Sequence, residues 1–446
     1  METKRTREKI IIAVCAVLAL IVLDVADKGT RALPMFARRY GVGCATCHTS
    51  APRLNETGYQ FRAAGFRMPN EIGKKIEDRK FKPTDYVSFR LQPRYDVAHT
   101  KTGDQSDTVQ KGRLFAAEGY LWYGPISKYF SSNLKVTMFP QESNETELTE
   151  RVEGTMRFTY GNEKDFLDIR AGVPHTNEGF GASEYYVIAN TRPFIQELRS
   201  ANFNQDTFFA PLGFHQAAVV AGYYHKRTTI SGQLSAGIRV RTDDDGRLEP
   251  FGRKEPVTTA LANGKQGGPD FKIFFNQILH HQGGNISAYY YNGRSRLPRL
   301  DLLPPTEPGA PIPSDELATV PFFKNNFQRL AFYAGYPIKR VNLMYGVQGG
   351  RDTIGSGGHF KSWGQFAEAE IRVVNDISAV GVRLDSFDPA RNKDHNDLKG
   401  ITAYLNVWLH SELRVTPEYQ HLFIKNGPGQ PNRIEDRFEL RLYWIR

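Results

Sequence analysis

From about residue 85 to its end, the chain alternates apolar and polar residues with a period of two. Ile230, Leu234 and Ala236 fall on one face of a predicted strand, whereas Ser231 and Gln233 fall on the other. Segments of about ten residues with this pattern are typical of strands with one apolar face. A two-sheet sandwich and a closed barrel both produce it.

The lengths of the connections favour the barrel. Tight turns are predicted near seven positions: 124–127, 162–164, 226–228, 281–284, 337–340, 374–376 and 410–412. Longer connections are predicted at 100–111, 140–149, 174–213, 242–269, 295–325, 352–361, 389–399 and 425–433. Seven hairpins and one further strand at each end give about 16 strands. Alternating short turns and long loops are typical of outer-membrane barrels, with the short turns and both chain ends in the periplasm.

Two further features of a barrel are expected. The longest connection, 174–213, is expected to fold into the lumen. Aromatic residues near the predicted strand ends are expected to form the girdles that flank the lipid-facing band. These residues are Tyr120, Trp122, Tyr123, Tyr289, Tyr290, Trp408, Tyr443 and Trp444.

The composition excludes several classes of protein. A mean hydropathy of −0.48 with 24% charged residues excludes a polytopic helical membrane protein. The aromatic content of 12% excludes a disordered chain, because it can bury a large surface. The net charge of +10 is modest for 446 residues and no run of Lys or Arg is present, so no nucleic-acid partner is expected.

The first residues have the pattern of an export signal. Lys4, Arg5, Arg7 and Lys9 precede an apolar run at 10–23. A basic stretch followed by a short apolar run is typical of a secretory signal, whereas a spanning helix needs about 20 apolar residues. An uncleaved inner-membrane anchor is the alternative interpretation.

The pentapeptide Cys44-Ala45-Thr46-Cys47-His48 has the C-x-x-C-H spacing of c-type haem attachment. Cys44 and Cys47 would form the covalent links to one haem c, and His48 would be the proximal iron ligand. A tetrahedral zinc site would need a fourth ligand, and the three cysteines of the chain include no second pair to provide it. A thioredoxin-like dithiol would need a βαβ context that this segment lacks.

The second axial ligand is expected from a nearby methionine or histidine. Met68 follows the predicted proximal histidine by 20 residues and is the candidate distal ligand. Leu54 and Phe61 recur at helical spacing between them, so a short helix is expected to lay both side chains over the haem. Met35 and His99 are the substitutes.

These patterns divide the chain into three parts. They are a signal segment or anchor at 1–32, a monohaem cytochrome c domain at 33–80 and an outer-membrane β-barrel at 81–446. The predicted fold is mainly β, an antiparallel transmembrane barrel with a small amino-terminal α-helical haem domain. Residues 34–80 carry an excess of basic side chains, which suits an acidic redox partner.

The motifs in the first 70 residues resemble those of the fused monohaem cytochrome–porins, which include outer-membrane iron-oxidising cytochromes. The matching residues are Met35-Phe36-Ala37-Arg38-Arg39-Tyr40-Gly41, the pentapeptide at 44–48, Pro52-Arg53-Leu54-Asn55, and Gly58 through Met68-Pro69. The resemblance implies a haem c inside or beneath a barrel of about 16 strands. It also implies electron flow from extracellular Fe(II) to a periplasmic cytochrome, with Cys44, Cys47 and His48 in the roles given above.

Two hypotheses of function remain open at this point. In the first, the chain is an outer-membrane protein that transfers electrons between an extracellular donor and a periplasmic redox protein. One form of this hypothesis is an Fe(II):cytochrome c oxidoreductase. In the second, it is a periplasmic or inner-membrane-anchored monohaem electron carrier with a soluble β module for partner binding. A diffusion porin with a structural haem is a third reading.

Carboxylate clusters on the predicted outer loops are candidate iron ligands, although charged loops are usually only solvated. They comprise Glu142, Glu145, Glu147 and Glu150, then Asp243, Asp244 and Asp245, and finally Asp394, His395 and Asp397.

Overall fold

The computed structural model describes most of the chain after residue 33. The described ranges are 34–74, 82–139, 149–174, 189–197, 217–236, 239–242, 248–250, 265–266, 269–298, 322–353, 358–374, 377–388, 391, 397–410, 412–425 and 431–446. The predicted signal segment at 1–32 lies outside them. Within these ranges no helix has the length and apolar character needed to cross a bilayer.

Across the described ranges, sixteen antiparallel strands close into a barrel. They are β1 Ser88–Thr102, β2 Gln105–Pro125, β3 Phe130–Phe139, β4 Thr149–Gly161, β5 Asp165–Val173, β6 Ala218–His225, β7 Thr228–Ser235, β8 Asp270–Ile278, β9 Asn285–Pro298, β10 Phe322–Ile338, β11 Val341–Thr353, β12 His359–Val374, β13 Ser378–Asp388, β14 Leu398–His410, β15 Leu413–Ile424 and β16 Arg433–Ile445. Each strand pairs with its neighbours in sequence, and β16 pairs with β1 to close the sheet. The predicted 16-stranded barrel is confirmed.

The predicted tight turns are confirmed, and all lie at one end of the barrel with Ser88 and the chain terminus Arg446. One predicted long connection is wrong. Residues 100–111 belong mostly to β1 and β2, which pair as far as Thr102 and Gln105. Only Gly103 and Asp104 separate these strands, and Gly103 adopts a φ of 59°, which glycine tolerates without steric cost.

The apolar face of the alternating strands points outward. On β12 the buried and exposed residues alternate, with Glu368 and Glu370 inside and Ile371 49% exposed outside. Leu330 on β10 and Val382 on β13 are likewise exposed, at 64% and 46%. An apolar outer face around a polar lumen is the arrangement of a barrel in lipid and the inverse of a water-soluble sandwich.

Ion pairs fill much of the lumen. Arg383 lies 2.7 Å from Asp385, Lys135 lies 2.9 Å from Glu153, and both pairs are almost fully buried. Buried charges are tolerated because each cation faces a carboxylate. The polar face of each strand is therefore the packed interior of this molecule.

The predicted aromatic girdle is mostly wrong. Five of its eight members are buried inside the barrel: Tyr120, Tyr123, Tyr289, Trp408 and Tyr443. A break in regular pairing between Tyr120 and Trp122 shifts the alternation on β2, so that Tyr120 and Tyr123 both point inward. Trp444 and Tyr290 are each 37% exposed, as expected for a girdle.

Residues 34–74, called the amino-terminal segment below, pack against the inner wall of the barrel. The segment contains α1 at Pro34–Tyr40 and α2 at Glu56–Ala63. The predicted short helix is confirmed for Phe61 and wrong for Leu54, which lies before α2 in the short strand Arg53–Leu54. Arg67 donates to the carbonyl oxygens of Lys128 and Phe130 at the β2–β3 turn. Leu54 and Tyr59 form a buried cluster with Ile278 of β8.

A second stretch also reaches the lumen. Residues 189–197 end in the short helix α3, Phe194–Glu197, and belong to the connection predicted to fold inward. The hydroxyl of Thr191 donates to Glu418 at 2.6 Å, and Arg383 donates to the carbonyl oxygen of Thr191 at 2.8 Å. The described part of this connection thus lies inside the barrel.

One predicted strand is shorter than expected. The alternation that begins at Ile230 continues in the sequence through Ala236 to Val240 and predicts one strand, but β7 ends at Ser235. Residues 239–242 instead form a small separate sheet with 248–250 and 265–266. The alternation of apolar and polar residues does not indicate where the chain leaves one sheet and joins another.

Candidate functional site

A large cavity lies between the amino-terminal segment and the inner wall of β2 to β5. It holds about 1110 Å³ of space, part of which is continuous with solvent. The segment contributes mainly apolar and sulfur-bearing side chains: Phe36, Tyr40, Cys47, Leu54, Phe61, Phe66 and Met68, together with His48. The barrel contributes Tyr120, Tyr123, Asn133, Lys135, Thr155, Arg157 and Arg170. One wall is therefore aromatic and the other polar and cationic.

Three of the four predicted site residues face this cavity. Cys47, His48 and Met68 line it, and so do Leu54 and Phe61, the pair expected from helical spacing. Cys44 is buried at the start of the same turn, and the amide of Cys47 donates to its carbonyl oxygen at 3.0 Å. The chain thus brings a thiol, an imidazole and a thioether to one enclosed space.

The two substitute ligands lie elsewhere. Met35 is fully buried in a cluster with Tyr120 and Tyr123 and does not line the cavity. His99 is on β1, where its Nδ1 lies 2.8 Å from the hydroxyl of Thr108. Apart from Cys47, Met68 is the only described sulfur-bearing side chain that lines the cavity together with His48.

Asn55 joins the pentapeptide to α2. Its side chain caps the helix by accepting from the amide of Gly58 at 3.0 Å. The same side chain donates to the carbonyl oxygens of Ala45 and Thr46 at 3.0 and 3.1 Å. An asparagine before a helical pattern is a recognisable cap in the sequence, but its second role, holding the pentapeptide loop, is visible only in the fold.

The region around Met68 is fixed from both sides. The amide of Met68 donates to the carboxylate of Glu71 at 3.3 Å, and the amide of Glu71 donates back to the Met68 carbonyl at 2.9 Å. The preceding Arg67 is anchored at the β2–β3 turn and is 1% exposed. The thioether therefore projects from a backbone with little freedom to move.

The His48 ring is oriented by backbone carbonyls. Its Nδ1 lies 3.1 Å from the carbonyl oxygens of both Pro52 and Arg53, so Nδ1 carries the proton and Nε2 keeps its lone pair. Burial lowers the pKa of the imidazole, although these two hydrogen bonds oppose the shift. Neutral imidazole with a free Nε2 is the form that binds metals.

The Cys47 thiol is kept neutral by its surroundings. Burial raises the pKa of this thiol to about 11. The side chain is partly exposed and lines the cavity.

Aromatic rings connect the segment to the barrel around the cavity. Phe36 packs edge-on to Phe61 with ring centres 4.9 Å apart. Phe66 makes a similar contact, also at 4.9 Å, with Tyr123 of β2. Such rings provide flat, dry surfaces for an aromatic ligand.

The cationic wall was not anticipated from sequence. Arg157 of β4 pairs with Asp168 at 2.9 Å and donates to the carbonyl oxygens of Arg62 and Ala63 at the end of α2. Arg170 lies 2.9 Å from the same aspartate. These residues belong to the polar face of barrel strands, and alternation alone does not distinguish a lumen charge from a cavity wall.

The proposed iron ligands on the outer loops fall almost entirely outside the described residues. Asp397 and the backbone of Glu150 are described, and no group of three or more His, Cys, Asp or Glu residues with metal-binding geometry occurs within the described ranges. The pentapeptide region is therefore the candidate site.

Comparisons with known proteins agree on the fold. No protein-family model and no curated protein matches the chain. Among solved structures, the anion-selective porin from Comamonas acidovorans has a TM-score of 0.52 at 10% identity, over 81% of this chain and 99% of the porin. OmpF of Salmonella typhi, in complex with daunomycin, has a TM-score of 0.51 at 9% identity, over 81% and 97%. At such low identity the likeness establishes a porin-like barrel and nothing about the cavity.

Proposed function

We propose that the protein is an outer-membrane electron-transfer protein that carries one covalent haem c in the cavity between its amino-terminal segment and its barrel. Cys44 and Cys47 attach the haem, His48 is the proximal ligand and Met68 the distal ligand. The observation that carries the proposal is the convergence of Cys47, His48 and Met68 on one aromatic-lined cavity. Nitrogen and thioether donors beside flat apolar walls suit an iron porphyrin.

When bound, haem c supplies a one-electron Fe(III)/Fe(II) couple. The chain's own residues provide the setting for it. His48 offers Nε2 because Nδ1 is hydrogen-bonded to carbonyl oxygens. Phe36, Phe61 and Phe66 exclude water from one side. Arg157 and Arg170 place positive charge on the other, which suits the carboxylate groups of the macrocycle.

The apolar outer face supports location in the outer membrane. Porin-like barrels of this form present a lipid-facing band about 25 Å tall. A water-soluble β module would instead expose an apolar surface far larger than soluble proteins tolerate. The hypothesis of a periplasmic carrier with a soluble β module is thus disfavoured by residues such as Leu330 and Val382.

The proposed direction of transfer is from an extracellular donor to a periplasmic redox protein, with Fe(II) as the donor and a cytochrome as the acceptor. Three of the short turns carry exposed basic side chains, namely Lys164, Lys226, Lys339 and Arg340. Short turns face the periplasm in bacterial barrels, so this end suits an acidic partner.

The proposal is tested by rapid mixing of detergent-purified protein with Fe(II) under anaerobic conditions. The α-band of a reduced c-type haem should be observed, with one haem per chain by pyridine haemochrome assay. Fast growth of this band supports Fe(II) as the donor. A haem that stays oxidised with Fe(II) but is reduced by dithionite rules out Fe(II), and a chain purified without covalent haem from a cytochrome c-maturing host overturns the whole proposal.

A further inference from the structure

The loop that orients His48 lies between the two short strands His48–Ser50 and Arg53–Leu54. The carbonyl oxygens of Pro52 and Arg53 accept from His48 Nδ1, so their positions set the direction of the imidazole ring. A hydrogen bond to the non-ligating nitrogen fixes ring orientation and tunes the basicity of a metal-binding histidine. Whatever holds this loop therefore also holds the imidazole.

Barrel side chains hold the loop from outside the segment. Asn406 and Trp408, both on β14, donate to the carbonyl oxygen of Ala51 at 3.2 and 3.3 Å. The guanidinium of Arg53 donates to Glu370 of β12 at 2.8 Å, and both side chains are at most 5% exposed. Three side chains on two barrel strands thus hold the loop at two residues, Ala51 and Arg53.

Glu370 is itself held in place. The hydroxyl of Tyr404 lies 3.3 Å from a carboxylate oxygen of Glu370 and 2.6 Å from one of Glu368. Glu368 lies 3.9 Å from Arg53 and 3.8 Å from Arg383. The carboxylate that anchors Arg53 is therefore part of a hydrogen-bonded network in the lumen wall. A substitution in this network would alter the position of the loop.

We infer that Glu370 is a positioning residue for His48: acting through Arg53, the barrel wall sets the orientation of the proximal imidazole and with it the reduction potential of the haem. The inference rests on the proposed function, because it concerns the ligand that this function assigns to His48. Axial-ligand geometry and hydrogen bonding around it are two of the means by which proteins tune a haem.

The test compares haem-loaded variants of the full chain by redox titration and by electron paramagnetic resonance of the ferric haem. Glu370→Gln removes the charge that fixes Arg53, and Glu370→Asp keeps it. Asn406→Ala removes one donor to Ala51 without any change of charge. Glu439→Gln is the control, because Glu439 is an equally buried lumen carboxylate that pairs with Arg94 and Arg441 rather than with the segment.

We expect Glu370→Gln to change the reduction equilibrium constant about ten-fold, which is about 59 mV for one electron, and to shift the g-values that report ligand orientation. Glu370→Asp should give a smaller shift of the same sign. Asn406→Ala should alter the g-values even though no charge is lost. Glu439→Gln should leave both readouts near those of the unmodified protein.

Two results would overturn the inference. One is unchanged g-values in Glu370→Gln; the other is an equal potential shift in Glu370→Gln and Glu439→Gln, which would indicate a general effect of lumen charge. If Glu370→Gln does not fold, Glu370→Asp decides the matter, because its shorter side chain alters the contact with Arg53 and unchanged g-values there would overturn the inference. Absence of haem from the unmodified protein would instead remove the proposed function, so the two failures are distinguishable.

Discussion

Gly58 lies directly against the carbonyl oxygen of Cys47, and a Cβ atom at position 58 would overlap this oxygen. The same added atom would also press on the Leu54 side chain. The contact brings α2 as close to the pentapeptide as a backbone can come, and only glycine permits it. Gly58 therefore allows α2 to pack directly against the loop that carries Cys47 and His48.

We expect Gly58→Ala to lower the haem content of the protein sharply and to reduce the free energy of unfolding by about 1–3 kcal/mol. Alanine favours helices over glycine by about 1 kcal/mol, so any loss would come from the clash and not from propensity. Haem per chain, measured by pyridine haemochrome assay, is the readout.

Gly232→Ala is the matched control, because a Cβ added at position 232 of β7 would make only an ordinary contact, 4.0 Å from the Phe271 ring. Gly232 does not line the cavity, so this variant should leave the haem content unchanged. Equal haem contents in the two variants would show that the approach of α2 to Cys47 does not shape the site.

Met68→Ala should leave the haem attached but lower its reduction potential, because a thioether ligand stabilises the reduced iron. The optical spectrum of the ferric protein should change to that of a high-spin or bis-nitrogen haem. Met35→Ala is the control, since Met35 is buried outside the cavity. A Met68→Ala spectrum identical to that of the unmodified protein would remove Met68 from the ligand set.

Leu330→Arg should destabilise the barrel in lipid vesicles by about 2–4 kcal/mol, because it places a charge in the lipid-facing band. Lys324→Arg, on the same face of the same strand, keeps a charge already present and should have little effect. Urea unfolding followed by tryptophan fluorescence measures both. Similar stability for the two variants would contradict an outward lipid-facing surface at Leu330.

Charge reversal at the short turns should slow oxidation of the reduced protein by an anionic oxidant. Lys164→Glu combined with Lys226→Glu is expected to lower the rate with ferricyanide about three-fold at low salt and to raise the rate with a cationic cobalt(III) complex. Lys324→Glu combined with Lys361→Glu, which makes the same change of charge at the opposite, long-loop end of the barrel, is the control. Rates that respond equally in both variants would show that electrons do not leave through the short-turn end.

The alternation of residues predicted the barrel well because it reflects local backbone geometry. Ile371 and Glu370 must point to opposite faces whatever surrounds them. Spacing also predicted the helix that carries Phe61 to the cavity, and Leu54 and Met68 line the same cavity from positions just before and after this helix. Both predictions depend only on residues that are close together in the sequence.

Contacts between distant residues were beyond prediction. Nothing near Arg53 in the sequence indicates a partner at Glu370, which lies 317 residues away. The girdle prediction for Tyr120 and Tyr123 used their positions near a strand end. It was wrong because a single irregularity in strand pairing reverses the face to which the residues beyond it point. The predicted tight turns were confirmed even beside irregular pairing at Arg372/Val374 and Trp408/His410. The long connection predicted at 100–111 was wrong because polar residues continue both strands past the apolar band.

The contacts that hold the loop at Ala51 also constrain the order in which the parts of the chain fold. Ala51 needs Asn406 and Trp408, which follow it by 355 and 357 residues, so its final contacts wait for nearly the whole sheet to form. Contacts of such long range form slowly and late. A segment that precedes the barrel in the sequence is thus among the last to reach its native place, and β14 is the strand whose arrival secures it.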